Sequence, residues 1–512
     1  MRREKGIGST VSKVQGESPV RRSRDFTRLL LETLADLGPF NGVDGTTSTT
    51  RKVKLERNAV VDTSRMDHVL NIDTDNMTAL VEPNVSMEIL VDATIAQGLI
   101  PLVVMEFPAI TVGGGFAGTA GESSSFRHGL FDKTINRIEI VLANGEIMQA
   151  SKNERKDLYD GAAGSFGTLG VITSLEVQLT RAKPYVELTY TPVGSTEEAL
   201  QKIEERTVSD ETEYLEGILF GKDKGLVIHG KLVDKLDSKL RCTGYTRAQD
   251  PWFYLRAKEI LHSGVDDVHE LVPIKDYFFR YDRGTFWAGW YAFQYFITPF
   301  NAFTRWALDS LLRTKVAYQA LHKSQMADQY IVQDIAFPYA TLGRFVDYID
   351  RKLGLFPLWL CPLNMGSEIS LRPYNMALTA PEARSPGMMI NVGLWGPGPK
   401  QYDRFIAANR DIERETAELG GIKCFYAQGY YTSDEFWKLY DKKAYDALRS
   451  KYHASGLPSV DEKVNVDLTR RTHADDQAWG EWMYEKFKEQ WPVRGVYGVL
   501  QVFIGREYLL AK

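Results

Sequence analysis

Hydrophobic and polar positions in the first third of the chain follow helical and strand-like spacing in turn. Leu and Phe residues recur at helical spacing from Asp25 to Leu37, and Gly38-Pro39 ends that pattern. Further along, the pattern predicts strands at 59–62, 78–85 and 100–104 and a helix at 86–97. This alternation of strand and helix is typical of α+β or α/β packing.

A hairpin and one long strand complete this first unit. Asn144-Gly145, a strong hairpin signal, separates predicted strands at 137–142 and 146–150. A strand at 171–180 follows, and the regular pattern ends near Lys183-Pro184. The sequence therefore predicts three regions, which are a disordered leader at 1–24, a first domain at 25–183 and a larger region at 184–512.

Composition narrows the function classes. The 512 residues are 44% hydrophobic and 25% charged, with a net charge of −5. This suits a folded protein of two or three domains and argues against nucleic acid as the main partner. Cys242, Cys361 and Cys424 lie far apart, so we expect reduced thiols and no metal site in a protein that faces the cytosol. The basic N-terminal stretch has no apolar core, so no signal peptide is predicted.

An aromatic-rich region at 276–306 complicates this picture. Within it, residues 284–304 carry no charge over 21 positions and include nine aromatic residues. The length suits a transmembrane helix, but Gln294, Pro299 and Asn301 interrupt it, and aromatic residues prefer the membrane interface to the hydrocarbon centre. Two interpretations stay open: an aromatic core wall or substrate tunnel, and a patch that inserts into one face of a membrane.

Stretches of small residues carry the strongest chemical signal; they span residues 45–51, 111–125 and 164–170. Gly113-x-Gly115-x-x-Gly118 fits a dinucleotide fingerprint, but that motif requires a helix directly after the glycines, and residues 119–129 show no helical apolar stripe. Small residues let backbone N–H groups approach an anion, and hydroxyl groups add neutral donors. Each stretch alone could be a tight turn; three in one domain favour a large phosphate-bearing ligand.

The order and spacing of these segments resemble the FAD-binding domain of the vanillyl-alcohol oxidase and p-cresol methylhydroxylase (PCMH) superfamily. Within it, residues 24–452 resemble the Δ24-sterol reductase (24-dehydrocholesterol reductase or Diminuto) family, whereas residues after Pro458 match no part of that family. The segments that carry the resemblance are ALVEPNVSM at 79–87, GTAGESSSFRHGL at 118–130, IEIVLANG at 138–145, GSFGTLGVIT at 164–173, VQD at 332–334, PLWLCP at 357–362 and residues 426–440 around Glu435-Phe436-Trp437.

The resemblance implies an α+β fold, with a two-subdomain PCMH-type FAD-binding domain at 25–183 followed by an α+β substrate (cap) domain at 184–512. It also implies FAD as cofactor. Many superfamily members bind flavin covalently through a His in the first loop, but residues 45–51 contain neither His nor Cys. We therefore expect noncovalent FAD, with His128 as a hydrogen-bonding residue near it. The residues expected to bind FAD are Thr46, Thr47, Ser48, Thr49, Arg51, Thr111, Val112, Gly113, Gly114, Gly115, Gly118, Thr119, Ala120, Gly121, Glu122, Ser123, Ser124, Ser125, His128, Gly129, Leu130, Gly164, Gly167, Thr168, Gly170, Val171 and Ile172.

The reaction implied by the resemblance is NADPH-driven reduction of an isolated C=C bond in a sterol side chain. Such an alkene accepts hydride poorly unless an acid first protonates it, so the site needs a general acid. Asp334 lies in the apolar run 330–337, where burial would keep its carboxyl protonated. A salt-bridged structural carboxylate is the alternative for Asp334. Glu122 and Tyr426 are further candidates for the acid, as is Tyr430.

Two other function classes stay open. One is a flavin oxidase or dehydrogenase of a sterol or terpenoid that passes electrons to O2, and the other is a noncatalytic scaffold that retains flavin. The expected partner is a sterol or terpenoid small molecule, and the sequence predicts no oligomeric state. We expect peripheral contact with the cytosolic face of the endoplasmic reticulum membrane, without a transmembrane helix, and the cytoplasm is the alternative location.

Overall fold

The computed structural model describes residues 41–43, 60–234, 239–324, 326–366, 387–468 and 491–504. The predicted helix at 25–37 and the first small-residue stretch at 45–51 lie outside these ranges. The strands form a two-stranded, a six-stranded and a nine-stranded sheet. In chain order they are β1 (Asn41–Val43), β2 (Val60–Asp62), β3 (Val69–Asp73), β4 (Thr78–Val81), β5 (Leu99–Pro101), β6 (Ile135–Val141), β7 (Ile147–Ser151), β8 (Val171–Arg181), β9 (Tyr185–Val193), β10 (Tyr214–Gly221), β11 (Lys224–Val233), β12 (Arg241–Cys242), β13 (Val268–Pro273), β14 (Tyr330–Phe337), β15 (Leu358–Asn364), β16 (Met388–Pro397) and β17 (Ile422–Lys423).

The six-stranded sheet has the order β3-β4-β8-β6-β7, and β5 also pairs with β8. Every second residue of β8 from Val171 to Leu179 is buried, which is the pattern of a strand with one face on a core. The predicted hairpin is confirmed, because β6 and β7 pair antiparallel across Asn144-Gly145. Gly145 there adopts a φ of 87°, which a side chain would disfavour.

The chain passes from the six-stranded to the nine-stranded sheet between the end of β8 at Arg181 and the start of β9 at Tyr185. The strand order of the nine-stranded sheet is β12-β13-β9-β11-β10-β15-β16-β14-β17. Residues Met389–Gly396 of β16 are all buried, so both faces of the sheet are covered there. Asp334 lies in the adjacent β14, opposite Gly393 of β16. A Cβ at position 393 would lie 3.0 Å from Asp334 Oδ1, so the glycine leaves room for the carboxyl group.

Helices connect the strands and pack against them. In chain order they are α1 (Met87–Ile95), α2 (Val112–Ala117), α3 (Ser125–His128), α4 (Lys156–Ala162), α5 (Thr196–Thr207), α6 (Phe253–Ser263), α7 (Ile274–Phe278), α8 (Ala288–Tyr295), α9 (Ala302–Ala307), α10 (Thr314–Lys323), α11 (Tyr339–Lys352), α12 (Tyr402–Glu418), α13 (Ser433–Leu439), α14 (Lys442–Lys451), α15 (Val460–Val464) and α16 (Val493–Ile504). Several of them begin at a capping side chain; at α5, for example, the Ser195 hydroxyl accepts a hydrogen bond of 3.0 Å from the Glu198 amide. Short 3-10 helices lie at Phe131–Thr134, Asp309–Leu311, Met326–Gln329 and Ala454–Gly456.

The aromatic segment folds into the two short helices α8 and α9. No helix in the described part of the chain has the length and apolarity to cross a bilayer. Trp287 is buried, and its Nε1 donates a hydrogen bond of 2.8 Å to the Trp395 carbonyl oxygen. By contrast, four large apolar residues of the same region are exposed, and we call them the apolar patch: Trp290, Ile297, Phe303 and Trp306. The segment therefore supplies both a core wall and an exposed apolar surface.

Candidate active site

A cavity of about 300 Å³, here the glycine-lined cavity, lies between loops of the six-stranded sheet and strands β14–β17. Asp334 and Tyr426 border it from the side of the nine-stranded sheet. Two of the three predicted loops and two of the candidate acids therefore meet in one place. The predicted FAD-binding residues that border this cavity are Thr111, Gly113, Gly114, Gly115, Gly118, Thr119, Ala120, Gly121, Leu130, Gly164, Gly167, Gly170, Val171 and Ile172.

The middle of the second small-residue stretch forms a helix, α2, which the sequence pattern did not indicate. The Thr111 hydroxyl caps it by accepting a hydrogen bond of 3.1 Å from the Gly114 amide. A Cβ at Gly113 would lie 2.7 Å from the Pro83 side chain, and one at Gly115 would lie 2.3 Å from Met105. Close packing, rather than a turn, therefore requires these glycines, and their small size hid the helix from a search for apolar periodicity.

The remaining predicted FAD-binding residues divide into two groups. Thr46, Thr47, Ser48, Thr49 and Arg51 lie outside the described residues. Those that are described but do not border the glycine-lined cavity are Val112, Glu122, Ser123, Ser124, Ser125, His128, Gly129 and Thr168.

Several of these polar residues form hydrogen bonds within the protein itself. The Ser123 and Tyr277 hydroxyls lie 2.8 Å apart, and the Ser124 hydroxyl donates to the Leu102 carbonyl oxygen at 2.8 Å. The Ser125 hydroxyl accepts a hydrogen bond of 2.9 Å from the Glu122 amide. The serine run thus fixes the shape of the loop and does not face the glycine-lined cavity.

Glu122 is a structural carboxylate in this arrangement, which argues against it as the proton donor. Arg280 Nη2 lies 3.0 Å from Glu122 Oε1, and Arg280 Nε lies 2.9 Å from Glu216 Oε1. All three side chains are buried. Burial raises the pKa of Glu122, and the Arg280 guanidinium opposes that rise. The ion pair occupies the carboxyl group and links the loop after α2 to β10 of the nine-stranded sheet.

Asp334 is held by two donors at the edge of the glycine-lined cavity. The Tyr426 hydroxyl donates to Asp334 Oδ2 at 2.5 Å, and Asn391 Nδ2 donates to Oδ1 at 2.6 Å. Burial raises the pKa of Asp334, although these hydrogen bonds oppose the rise. Burial also raises the pKa of Tyr426 well above its usual value. The alternative reading of Asp334 as a salt-bridged residue has no support among the described residues, since its side-chain partners are neutral.

Glu106 is a second carboxyl group on the same cavity, and the sequence analysis missed it. It is half-buried because its side chain borders the cavity. Burial raises its pKa to about 8, and the nearby carboxyls of Glu122 and Asp334 add to the rise. The available signal was the same as for Asp334, namely a single carboxylate in the apolar run 103–110.

A cation also reaches the glycine-rich loops from a distant part of the sequence. Lys463, in α15, borders the cavity and donates a hydrogen bond of 2.9 Å to the Phe166 carbonyl oxygen. Its Nζ would lie 3.8 Å from a Cβ at Gly167. The amides of Gly164 and Gly167 form no backbone hydrogen bond with the described residues. Bare glycine backbone, available N–H groups and an ammonium group are what a pyrophosphate needs, so the residues present fit FAD.

Comparisons with known proteins bear on the same cavity. A family model described as FAD binding domain matches residues 38–151, which include the first two predicted loops. The Delta(24)-sterol reductase of Homo sapiens is 27% identical over 405 residues, or 77% of this chain and 76% of the human protein. That of Arabidopsis thaliana is 29% identical over 432 residues, or 79% and 76%. The predicted resemblance is confirmed, and the chain contains an FAD-binding domain within an α+β fold.

A shorter similarity reaches a dehydrogenase with a different name. Cytokinin dehydrogenase 4 of Oryza sativa subsp. japonica is 28% identical over 135 residues, which is 26% of this chain and 26% of that protein. The similarity to the sterol reductases covers about three times as much of the chain. It therefore extends well beyond a segment of flavin-domain length.

Proposed function

We propose that this chain, which is similar over three quarters of its length to Delta(24)-sterol reductases, is an FAD-dependent reductase that uses NADPH to saturate a C=C bond in a sterol side chain. The observation that carries the proposal is that the carboxyl groups of Asp334 and Glu106 share one cavity with the glycine-rich loops of an FAD-binding domain. The glycine-rich loops are needed to bind FAD, and a carboxylic acid is needed to protonate an isolated alkene.

The chain's own residues would hold FAD at the loops. The backbone at Gly114, Gly118, Gly164 and Gly167 and the ammonium group of Lys463 border the space where its phosphates would lie. Bound FAD would supply hydride chemistry, whereas the protein supplies orientation and charge. NADPH would use the same cleft as the sterol, in turn, because the sequence shows no second nucleotide-binding motif.

Asp334 is the proposed proton donor. A protonated Asp334 can donate to the Tyr426 oxygen, and the Tyr426 hydroxyl, which borders the same cavity, can pass a proton toward the substrate. Protonation of the less substituted alkene carbon places positive charge on the tertiary carbon, which then becomes a hydride acceptor. Burial favours the neutral carboxylic acid over the carboxylate, and a general acid needs that form.

Glu106 is a second candidate for the donor because its carboxyl borders the cavity with no side-chain hydrogen bond among the described residues. A pKa of about 8 leaves it protonated at neutral pH. It requires no relay, whereas Asp334 acts through Tyr426. Isosteric variants of the two residues separate these candidates, as developed in the Discussion.

The decisive experiment for the function is anaerobic. NADPH is added to the purified flavoprotein, the flavin absorbance is followed, and a Δ24-sterol is then added. We expect bleaching by NADPH and recovery of the absorbance with the sterol. If the sterol has no effect under argon but the protein turns over in air with peroxide formed, the oxidase takes the place of the reductase. Absence of any bleaching would favour the scaffold.

Peripheral membrane contact is part of the proposal and rests on the apolar patch. The patch consists of four exposed residues, Trp290, Ile297, Phe303 and Trp306. Complete burial of such a side chain contributes about 1.5–3 kcal/mol of stabilisation. A water-insoluble substrate must reach the protein from a lipid phase. We propose that this surface meets the cytosolic face of the endoplasmic reticulum membrane. The buried Trp287, which lies in the same uncharged segment, plays no part in that contact.

A further inference from the structure

A second cavity of about 220 Å³ adjoins the glycine-lined cavity. Tyr318 and Trp395 border both, and their rings pack edge to face, so these two side chains separate the two cavities. The walls of the second cavity come largely from helices α8, α10 and α16, through residues such as Ala292, Ala317 and Val499. The second cavity is therefore lined in part by the aromatic-rich region at 276–306.

The lining of the second cavity is apolar, and no charged side chain belongs to it in the part of the chain that the structure describes. Its hydroxyl-bearing residues are Thr285, Tyr295, Thr298, Tyr318, Ser324 and Tyr330. The buried Thr285 Oγ1 forms no hydrogen bond with any described residue, whereas the Tyr318 hydroxyl, also without a hydrogen bond to a described residue, is close enough to Asp334 and Glu106 of the glycine-lined cavity to interact with them. A buried hydroxyl without a partner costs free energy, so a ligand that supplies one hydrogen-bonding group would recover it. The lining suits a large apolar molecule with one polar group.

Thr285 also has an unusual backbone conformation. Its φ is 49°, and that of the next residue, Phe286, is 58°. A β-branched residue rarely adopts positive φ, and such strain costs about 1–3 kcal/mol unless the surrounding structure enforces it. Here Phe286 stacks on Tyr281, with ring centroids 3.9 Å apart. Packing of the aromatic core thus holds Thr285 in the wall of the second cavity.

Helix α16 forms one wall of the second cavity, and its backbone packs closely against the neighbouring helices. A Cβ at Gly495 would lie 2.5 Å from Tyr295 Cε1, and one at Gly498 would lie 2.7 Å from the Ala320 carbonyl oxygen. Both glycines therefore let α16 pack directly on α8 and α10. This helix lies after Pro458, beyond the segments that carry the family resemblance, and it forms one wall of the second cavity.

We propose that the second cavity binds the rigid fused-ring body of the sterol, while the side chain extends past Tyr318 and Trp395 into the glycine-lined cavity. The proposal rests on the proposed function in naming a sterol. Its physical basis is independent of the reaction: an apolar space that shares the side chains of Tyr318 and Trp395 with the glycine-lined cavity, and the unpartnered Thr285 hydroxyl for a ligand that has one hydroxyl. In this arrangement the ring body and the alkene occupy separate compartments.

The test fills the second cavity without touching the first. Ala292→Phe and Ala317→Phe each add a ring to a residue that borders only the second cavity, and Ala292→Leu is a milder form. Ala417→Phe, at an exposed position of α12, is the matched control. Binding of a fluorescent sterol, with a conjugated triene in its rings, is measured by energy transfer from tryptophan, alongside flavin content and bleaching by NADPH.

We expect at least tenfold weaker sterol binding in both Phe variants, a smaller loss in Ala292→Leu, and no change in the control. Flavin content should stay at the wild-type level in all of them. Sterol binding at wild-type affinity in the filled variants would overturn the proposal, as would failure of the wild type to bind the probe. Because binding needs no turnover, a protein that binds the sterol in this cavity but fails to reduce it would refute the proposed reaction alone.

Discussion

Replacing Asp334 with asparagine separates a catalytic role of this carboxyl from a structural one. The side chains have nearly the same shape, but asparagine cannot release a proton. In the structure, Asp334 accepts hydrogen bonds from both Tyr426 and Asn391. An asparagine at 334 can accept from Asn391 through Oδ1 and donate to the Tyr426 oxygen through Nδ2. The fold should therefore tolerate Asp334→Asn.

The expected magnitudes differ enough to decide between the roles. At most one hydrogen bond is lost, which costs about 0.5–1.5 kcal/mol of the free energy of unfolding. The melting temperature should fall by no more than about 2–4 °C. Loss of a general acid slows the proton-dependent step by about 10²–10⁴-fold. That corresponds to about 3–5 kcal/mol of activation free energy, several times the structural cost.

Stopped-flow spectroscopy under argon resolves the two half-reactions. We expect NADPH to bleach the flavin of Asp334→Asn at nearly the wild-type rate, because that step needs no acid. Recovery of absorbance after sterol addition should be slower by at least about 10². In the wild type, the recovery rate should fall as pH rises through the donor's raised pKa, since the protonated carboxyl is the reacting form and is lost above that pKa.

Glu106→Gln is the matched control, because it removes the other carboxyl that borders the same cavity. If Asp334 is the donor, Glu106→Gln retains the sterol half-reaction. An active Asp334→Asn together with an inactive Glu106→Gln would refute the assignment and identify Glu106, with the alkaline loss of rate centred near its pKa of about 8. Full activity of both variants would show that neither carboxyl protonates the substrate.

Three further predictions concern the cofactor and the membrane. Acid precipitation should release all flavin into the supernatant. Colour in the pellet would show a covalent link, with Cys361 and Cys424 as candidates because both border the glycine-lined cavity. Gly118→Val should sharply reduce flavin content with a near-native circular dichroism spectrum, whereas Gly456→Val, whose Cβ would meet nothing within 4 Å, should leave both unchanged; normal loading of the first variant would exclude this loop. Serine at the two tryptophans and the phenylalanine of the apolar patch should abolish cosedimentation with liposomes of endoplasmic reticulum composition, while Val208→Ser, an exposed apolar position elsewhere, should not; an equal loss in the control would remove the patch as the cause.

Local sequence signals predicted five of the six strands of the six-stranded sheet and missed β3. The alternating pattern gave β8, and Asn144-Gly145 gave the hairpin between β6 and β7. They failed at α2, because Gly113 and Gly115 carry no side chain that an apolar periodicity could register. The helix exists because backbone packing against Pro83 and Met105 leaves room for nothing larger than glycine. That constraint comes from tertiary packing. In the sequence it is visible only as a cluster of glycines, which does not identify a helix.

The candidate site shows a similar division. Asp334 was found because an isolated carboxylate in an apolar run is conspicuous, and Glu106 was missed although it has the same signature. The ion pair of Glu122 could not be anticipated, because its partner, Arg280, lies 158 positions away. The packing of the two sheets determines whether a carboxyl group borders the cavity or pairs with an arginine. No local sequence pattern predicts that packing.

The attachment of the C-terminal part to the flavin loops has a consequence for biosynthesis. Tyr445 bonds Thr168 across 277 positions, and Lys463 bonds Phe166 across 297. A chain emerging from the ribosome thus completes its glycine-rich loops long before the lysine that approaches them has been translated. We expect the nascent N-terminal domain to remain without flavin, and cofactor uptake to follow release of the finished chain, so that premature termination before Lys463 leaves a polypeptide with a nearly whole FAD-binding domain and little capacity to retain FAD.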